Sequence, residues 1–205
     1  MNKQGFTLAT VGGHILDLYR LARFDVRNPH SYSKVRQIRA LANRTSSRVF
    51  IEAGTFVGNT AMRCSRHFEK VITMELDVAL FRSAQTYLSS RKNVTCLQGD
   101  ALQLLPSVLE QADVQDALVF LDGHFSGGAT AHGDQAEPAC DEIALLAEHK
   151  DKVNAVVVDD FRCFGRDQGW PRRSVLLETI ENSFGDDFDY TVHLDQVLIW
   201  RVKAS

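Results

Sequence analysis

Five short apolar runs constrain this chain more than any other feature. They lie at residues 49–51, 71–76, 94–97, 117–121 and 155–158. The first, fourth and fifth are nearly continuous (VFI, ALVFL and AVVV), as expected of strands buried on both faces of a parallel sheet. Between the runs, residues 59–67, 78–90, 101–111 and 137–149 carry apolar side chains at helical spacing. In the second of these segments they are Leu80, Phe81, Ala84, Tyr87 and Leu88. Strand and helix alternating through short links predict an α/β, doubly wound sheet with helices on both faces. The end of the chain departs from that rhythm. A helix at 174–184 precedes strands at 189–193 and 197–202, separated only by Leu194-Asp195-Gln196. So short a link cannot make a parallel crossover. The expectation is a mostly parallel seven-stranded sheet that finishes in an antiparallel hairpin.

The 205 residues suit a single domain, 1–205. Residues 48–205 form its α/β core and residues 1–47 an N-terminal helical cap. Within the cap, helices are expected at 14–24 and 33–43, broken at Asn28-Pro29-His30-Ser31. Such a cap either covers a site or completes the core. Composition excludes several classes. A net charge of −3 gives no electrostatic reason to expect nucleic acid. Cys64, Cys96, Cys140 and Cys163 contain no C-x-x-C, so they suggest reduced thiols rather than a zinc or thioredoxin site. No run has signal-peptide character or membrane-spanning length, which makes a cytoplasmic protein without a membrane partner the default.

In an open α/β sheet, ligands bind beyond the C-terminal ends of the strands. Those ends are acidic throughout: Glu52-Ala53-Gly54, Glu75, Gly99-Asp100, Asp122-Gly123-His124 and Asp159-Asp160. The first sits in RVFIEAGTFVGNT, where strand, glycine turn and helix start follow one another. Gly54 and Gly58 let backbone approach a ligand closely. Glu75 can accept hydrogen bonds from both ribose hydroxyls, Asp100 one from an adenine amino group, and Glu52 can face a positive charge. The spacing E-x-G-x-x-x-G differs from the dinucleotide fingerprint G-x-G-x-x-G. Glu52 would also stand beside a pyrophosphate, charge against like charge. A cationic ligand carrying sulfonium and ammonium groups suits this ring of acids better.

VFIEAGTFVGNT, VITMEL, LQGDA, VFLDGH and the terminal hairpin together resemble the Rossmann-like S-adenosylmethionine-dependent methyltransferases, from about Arg48 onward. The resemblance implies that Glu52, Gly54 and Gly58 line the methionine part, Glu75 the ribose and Asp100 the adenine. Ala53, Thr55, Asn59, Leu76, Ala101 and Asp122 complete the expected cofactor-binding set.

Asp122 closes the fourth strand, and Asp159 and Asp160 the fifth. Adjacent strand ends lie roughly 5 Å apart, so the three carboxylates can converge on a hard cation such as Mg²⁺. The pattern resembles the metal-dependent O-methyltransferases of the catechol, macrocin and cephalosporin-pathway types. That resemblance implies Mg²⁺-dependent O-methylation of a small hydroxylated acceptor, with the metal lowering the acceptor's pKa. The catalytic residues would be Asp122 and His124. His124 begins a glycine-rich segment running past His132 to Gly133, and can act as general base or further ligand. The alternatives are metal-independent transfer to oxygen or nitrogen with His124 as base, and a cofactor-binding protein without catalysis. Arg162 is a candidate for an anionic group of the substrate. Enzymes of this type often pair, which leaves a homodimer open.

Overall fold

The structure, a computed structural model, describes residues 19, 31–122 and 137–202. The expected helix at 14–24 lies outside these residues apart from Tyr19, which is helical. Gly123, His124, His132 and Gly133 also lie outside them.

The described chain runs α1 (Ser31–Thr45), β1 (Val49–Ala53), α2 (Asn59–Cys64), β2 (Lys70–Glu75), α3 (Val78–Leu88), β3 (Val94–Gln98), α4 (Ala101–Leu109), β4 (Ala117–Leu121), α5 (Ala139–Glu148), β5 (Val153–Val158), α6 (Arg173–Phe184), β6 (Phe188–His193) and β7 (Gln196–Arg201). The strands form one seven-stranded sheet in the order β3-β2-β1-β4-β5-β7-β6. The first five are parallel, while β7 runs antiparallel to both β5 and β6. This is the doubly wound architecture expected from the apolar runs. The β6–β7 link is tighter than expected. His193 pairs with Gln196, leaving Leu194 and Asp195 as a two-residue turn with φ of 46° and 68°. Two positive φ values in a row are the type I′ geometry, which matches the twist of a hairpin.

Alternation along each strand divides the core. Val49, Ile51 and Ala53 of β1 face the side covered by α4, α5 and α6, together with Val119 and Leu121 of β4. Phe50, Leu118 and Phe120 face the side covered by α1, α2 and α3. There Phe50 stacks on Phe120 at 6.3 Å between ring centroids. Glu52 belongs to this second face by the two-residue period of the strand.

α1 completes that face with Val35, Ile38, Leu41 and Ala42. Its last residue, Thr45, accepts a hydrogen bond from Asn154 at the start of β5, and Arg44 stacks over Trp200 at 4.0 Å. From Thr45 back to Lys34 the helix spans about 16 Å at 1.5 Å per residue. From Asn154 to Asp159 the strand covers nearly the same length at about 3.3 Å per residue. α1 therefore runs antiparallel along β5 and delivers its first turns to the edge where the strand-end acids lie. The cap helix both completes the core and reaches that edge.

Candidate active site

The glycine corner forms as expected. Gly54 and Gly58 have φ of 94° and 81°, and Phe56 between them has 49°. The turn is pinned to β2: the Gly54 and Thr55 N–H groups both donate to the Met74 carbonyl at 3.0 Å. Gly58 caps α2 in the left-handed conformation, and a Cβ there would stand 3.2 Å from Leu88 Cγ and Cδ1. Asn59, the first residue of α2, is exposed at the same corner.

Glu75 is the last residue of β2 and is almost fully buried. The Phe56 N–H donates to its Oε2 at 2.7 Å and the Asp77 N–H to its Oε1 at 3.0 Å. An ionised carboxylate accepts up to about four hydrogen bonds, so both oxygens keep capacity for ribose hydroxyls. Phe56, Val57, Leu76 and Val78 are exposed around it, which gives this edge an apolar rim. Asp100 caps α4, its Oδ1 accepting from the Leu102 N–H at 2.9 Å. Gly99, with φ of 146°, donates its N–H to the Glu75 carbonyl and brings Asp100 and Ala101 beside β2. The expected nucleoside residues are thus assembled at one edge. Apolar rim, anchored carboxylate and glycine turn together fit a nucleoside-bearing cofactor.

Glu52 differs from expectation. β1 extends through Ala53, so Glu52 lies inside the strand, 1% exposed, rather than open to the cleft. Its register partner on β2 is Thr73, whose hydroxyl donates to Glu52 Oε2 at 2.6 Å. Thr73 Oγ1 lies 2.6 Å from Thr55 Oγ1, so a buried hydroxyl relay joins Glu52 to the glycine turn. Burial pushes the Glu52 carboxyl up to about 8; the Thr73 and Thr60 hydrogen bonds pull it down, and the charges of Asp122 and Glu75 add to the rise. It is therefore largely protonated at neutral pH.

The second cluster forms beyond β4 and β5. The Asp122 N–H donates to the Ala53 carbonyl and the Asp159 N–H to the Leu121 carbonyl, each at 3.0 Å. These bonds place the adjacent strand ends side by side. Lys34 of α1 reaches these strand ends. Its ammonium closes on Asp159 Oδ2 and lies 3.6 Å from Asp160 Oδ1. Burial lowers the Lys34 pKa, but the charges of Asp159, Asp122 and Asp160 outweigh it and raise the group above its ordinary value, so it remains a cation. Gln196 of β7 donates to Asp159 Oδ1 at 3.3 Å, and Asp159 is fully buried. Asp160, at φ 52°, turns to Arg162, whose guanidinium donates to Asp160 Oδ1 at 2.6 Å and also pairs with Asp195 Oδ2.

One expectation changes here. Arg162 is committed to Asp160 and Asp195, and its own N–H donates to Asp195 Oδ1 at 2.7 Å. It therefore ties the I′ turn to the loop after β5 instead of standing ready for an anion. An open groove of about 400 Å³ lies beside it, lined also by Arg166, Arg173 and Leu194. Asp159 and Asp160 both lie at the Lys34 ammonium, and the charge of Asp122 acts on it as well. Asp159 is engaged on one oxygen by Lys34 and on the other by Gln196, and Asp160 is held by Arg162. Among the described residues no set of three or more His, Cys, Asp or Glu side chains is grouped to hold a metal ion. The role expected of His124 falls outside the described residues. Burial pushes the Cys163 thiol up to about 12, so it stays protonated.

Lys34, Thr73, Asp195 and Gln196 are the site residues that motif reading missed. A signal existed for Lys34 alone. It shares the helical spacing of Ile38 and Leu41, which puts a lysine on the buried stripe of α1.

The sheet order and the terminal antiparallel pair define a Rossmann-like methyltransferase fold. No protein-family model matches the chain, and a search of curated proteins returns no match. Solved structures do match. An O-methyltransferase from Bacillus cereus, in complex with SAH, is 14% identical with a TM-score of 0.63, covering 98% of this chain and 94% of that one. A putative caffeoyl-CoA O-methyltransferase from Staphylococcus aureus is 15% identical at 0.55, covering 93% and 92%. A putative rRNA methylase from Clostridium thermocellum is 11% identical at 0.58, covering 80% and 96%. At such identities the likeness establishes the fold. Small molecules and RNA appear side by side in those names, so the fold leaves the acceptor open.

Proposed function

We propose that this protein is an S-adenosylmethionine-dependent methyltransferase that modifies an oxygen of a small hydroxylated acceptor. The observation carrying this reading is Glu75. Two backbone N–H groups lock it at the end of β2, it keeps lone pairs for a ribose, and an apolar rim surrounds it. Phe56, Val57 and Leu76 offer apolar surface to an adenine, and Asp100 a hydrogen-bond acceptor. Gly54 and Gly58 allow backbone to approach the methionine end.

S-adenosylmethionine, when bound, supplies a methyl group on a cationic sulfur. The chain's own residues then have three tasks. The glycine turn and Glu75 would hold the methionine and ribose parts of the donor at the ends of β1 and β2. The Thr55–Thr73–Glu52 relay would answer the donor's positive charge, with Glu52 giving up its proton to solvent when the cation binds. The cluster around Lys34 holds the acceptor oxygen in line, and positioning of this kind is the larger part of catalysis for a transfer that needs no covalent enzyme intermediate. The magnesium dependence expected from the sequence is not carried into this reading, since the Lys34 ammonium closes on Asp159 and no three metal-ligating side chains are grouped among the described residues.

Transfer of a radiolabelled methyl group from S-adenosylmethionine to a panel of phenolic, enolic and sugar hydroxyl acceptors tests the proposal. Labelled ether should form with the wild type. Glu75→Ala should weaken S-adenosylhomocysteine binding by roughly 10- to 100-fold, the worth of a bidentate charged hydrogen bond. Unchanged affinity in that variant would remove Glu75 from the cofactor site.

A further inference from the structure

Charge is separated by sign beyond the strand ends. Toward α1, Asp122, Asp159 and Asp160 outnumber Lys34, which leaves that end net negative. Toward the β6–β7 hairpin the balance reverses. The open groove of about 400 Å³ there is lined by Arg162, Arg166 and Arg173, with Asp195 as the one acid in its wall. That acid is already engaged. Arg162 donates to one of its oxygens from the backbone and pairs with the other through its guanidinium, leaving 4% of the Asp195 side chain exposed. Arg173 donates to neutral partners, the Phe161 and Arg162 carbonyls, at 3.3 and 3.1 Å. Its charge is therefore uncompensated, and a guanidinium has five N–H donors to offer. Arg166 is exposed and makes no ion pair among the described residues. Adding the flanking Arg172 and Asp167, and assigning Asp160 wholly to this side, still leaves the groove positive.

The remaining walls are apolar. The Arg173 guanidinium lies over the Phe161 ring at 5.0 Å, and Val192 and Leu194 are 43% and 36% exposed. Leu194 is the first central residue of the I′ turn, at φ 46°. That position favours Asn, Asp or Gly. Neither turn geometry nor solvation accounts for a leucine there, whereas a wall against an apolar body does. The groove thus pairs uncompensated arginines with apolar surface.

Its place in the sheet says what it serves. The nucleoside residues stand at the ends of β1, β2 and β3, and the groove adjoins β5 and the β6–β7 hairpin, on the far side of β4. Arg162 links it to the acidic cluster. The Arg162 guanidinium donates to Asp160 Oδ1 at 2.6 Å, and that oxygen is 3.6 Å from the Lys34 ammonium.

We propose that this groove is a specificity subsite for the acceptor, and that the acceptor is a hydroxy acid whose carboxylate or phosphate pairs with Arg166 and Arg173 while its apolar body packs on Phe161, Val192 and Leu194. This rests on the methyltransferase reading above. Charge complementarity supplies the substrate class: the acidic end suits a cationic donor, and the basic end an anionic acceptor. Guanidinium groups recognise carboxylate and phosphate alike through parallel N–H donors. The common requirement is an oxyanion on an apolar body. A neutral polyol would leave both the arginines and the apolar walls unmatched.

NMR of the arginine Nε–H groups in the wild type tests this directly, with 4-hydroxybenzoate, phenyl phosphate and neutral 4-hydroxybenzamide as probes. At least one anion should shift the Arg166 and Arg173 signals saturably, with a Kd in the millimolar range or below. The amide should bind about tenfold more weakly or worse, and the stronger anion tells carboxylate from phosphate. Arg166→Gln should weaken anion binding by about tenfold, with affinity for S-adenosylhomocysteine nearly unchanged, and Arg166→Lys should recover part of the loss. In turnover, Arg166→Gln should raise KM for a hydroxy acid by about tenfold and leave kcat within a few-fold. No saturable shift with either anion well above the millimolar range, or equal affinity for acid and amide, would overturn the proposal. So would anion binding in the groove with KM for the hydroxy acid unmoved by Arg166→Gln. Failure to bind S-adenosylhomocysteine would instead sink the methyltransferase reading. The NMR titration needs neither cofactor nor turnover, so it judges the groove in either case.

Discussion

Glu52→Gln is expected to stabilise the protein increasingly as pH rises from about 5 to 8, reaching roughly 3–4 kcal/mol. The cause is the buried carboxyl on β1. Its pKa is about 8 in the folded protein against a model value of 4.5, chiefly because burial penalises the charged form. A group raised in this way contributes its full share of stability below the unfolded value, and that share is lost as pH climbs toward the folded value. Glutamine has no proton to lose and can still accept from Thr73. Urea denaturation of both proteins between pH 5 and 9 should give curves that diverge up to pH 8 and then run parallel. The same carboxyl sets a functional expectation. If binding of the cationic donor ionises Glu52, affinity should rise with pH below 8 by up to about tenfold per unit, with up to one proton released. In Glu52→Gln the affinity should be weaker and flat over that range. Parallel stability curves throughout would show that Glu52 is ionised in the folded state.

Gly58→Val should destabilise the fold by about 2–4 kcal/mol. Two effects coincide at this position. The backbone is left-handed at φ 81°, where a β-branched residue is strongly disfavoured, and Leu88 of α3 stands 3.2 Å from the site of the new Cβ. Relief would require α2 to move away from α3, which would also displace the turn that carries Thr55 and Phe56. Cofactor binding is therefore expected to fall with stability, by at least tenfold under conditions where the variant is still folded. Gly58→Ala should be intermediate, since it meets the same contact with less bulk. A midpoint in urea unchanged from the wild type in both variants would contradict this account of the corner.

Much of this was legible in the chain because local patterning and tertiary structure agree. The runs VFI, ALVFL and AVVV become the central strands β1, β4 and β5, and Leu194-Asp195 could only have made a hairpin. Glu75 and Asp100 fall where strand-end acids should fall. What was not legible depends on partners far apart in sequence. β1 runs to Ala53, two residues past its last bulky apolar side chain, and strand periodicity then turns Glu52 into the sheet face against Thr73. Asp195 looks like an ordinary turn residue until the I′ geometry aims it at Arg162, taking that arginine away from the substrate. Lys34 carried a faint signal in its place on the apolar stripe of α1, but its partner Asp159 lies at the other end of the chain. Only the antiparallel packing of α1 along β5 brings the two together.

The central claim is that the edge built from the glycine corner, Glu75 and Asp100 holds S-adenosylmethionine. Isothermal titration of the wild type with S-adenosylhomocysteine at pH 7.5 tests it most directly. The account predicts one site per chain, with affinity reduced in Glu75→Ala and unaffected by EDTA. Absence of binding by folded protein at millimolar ligand would contradict it.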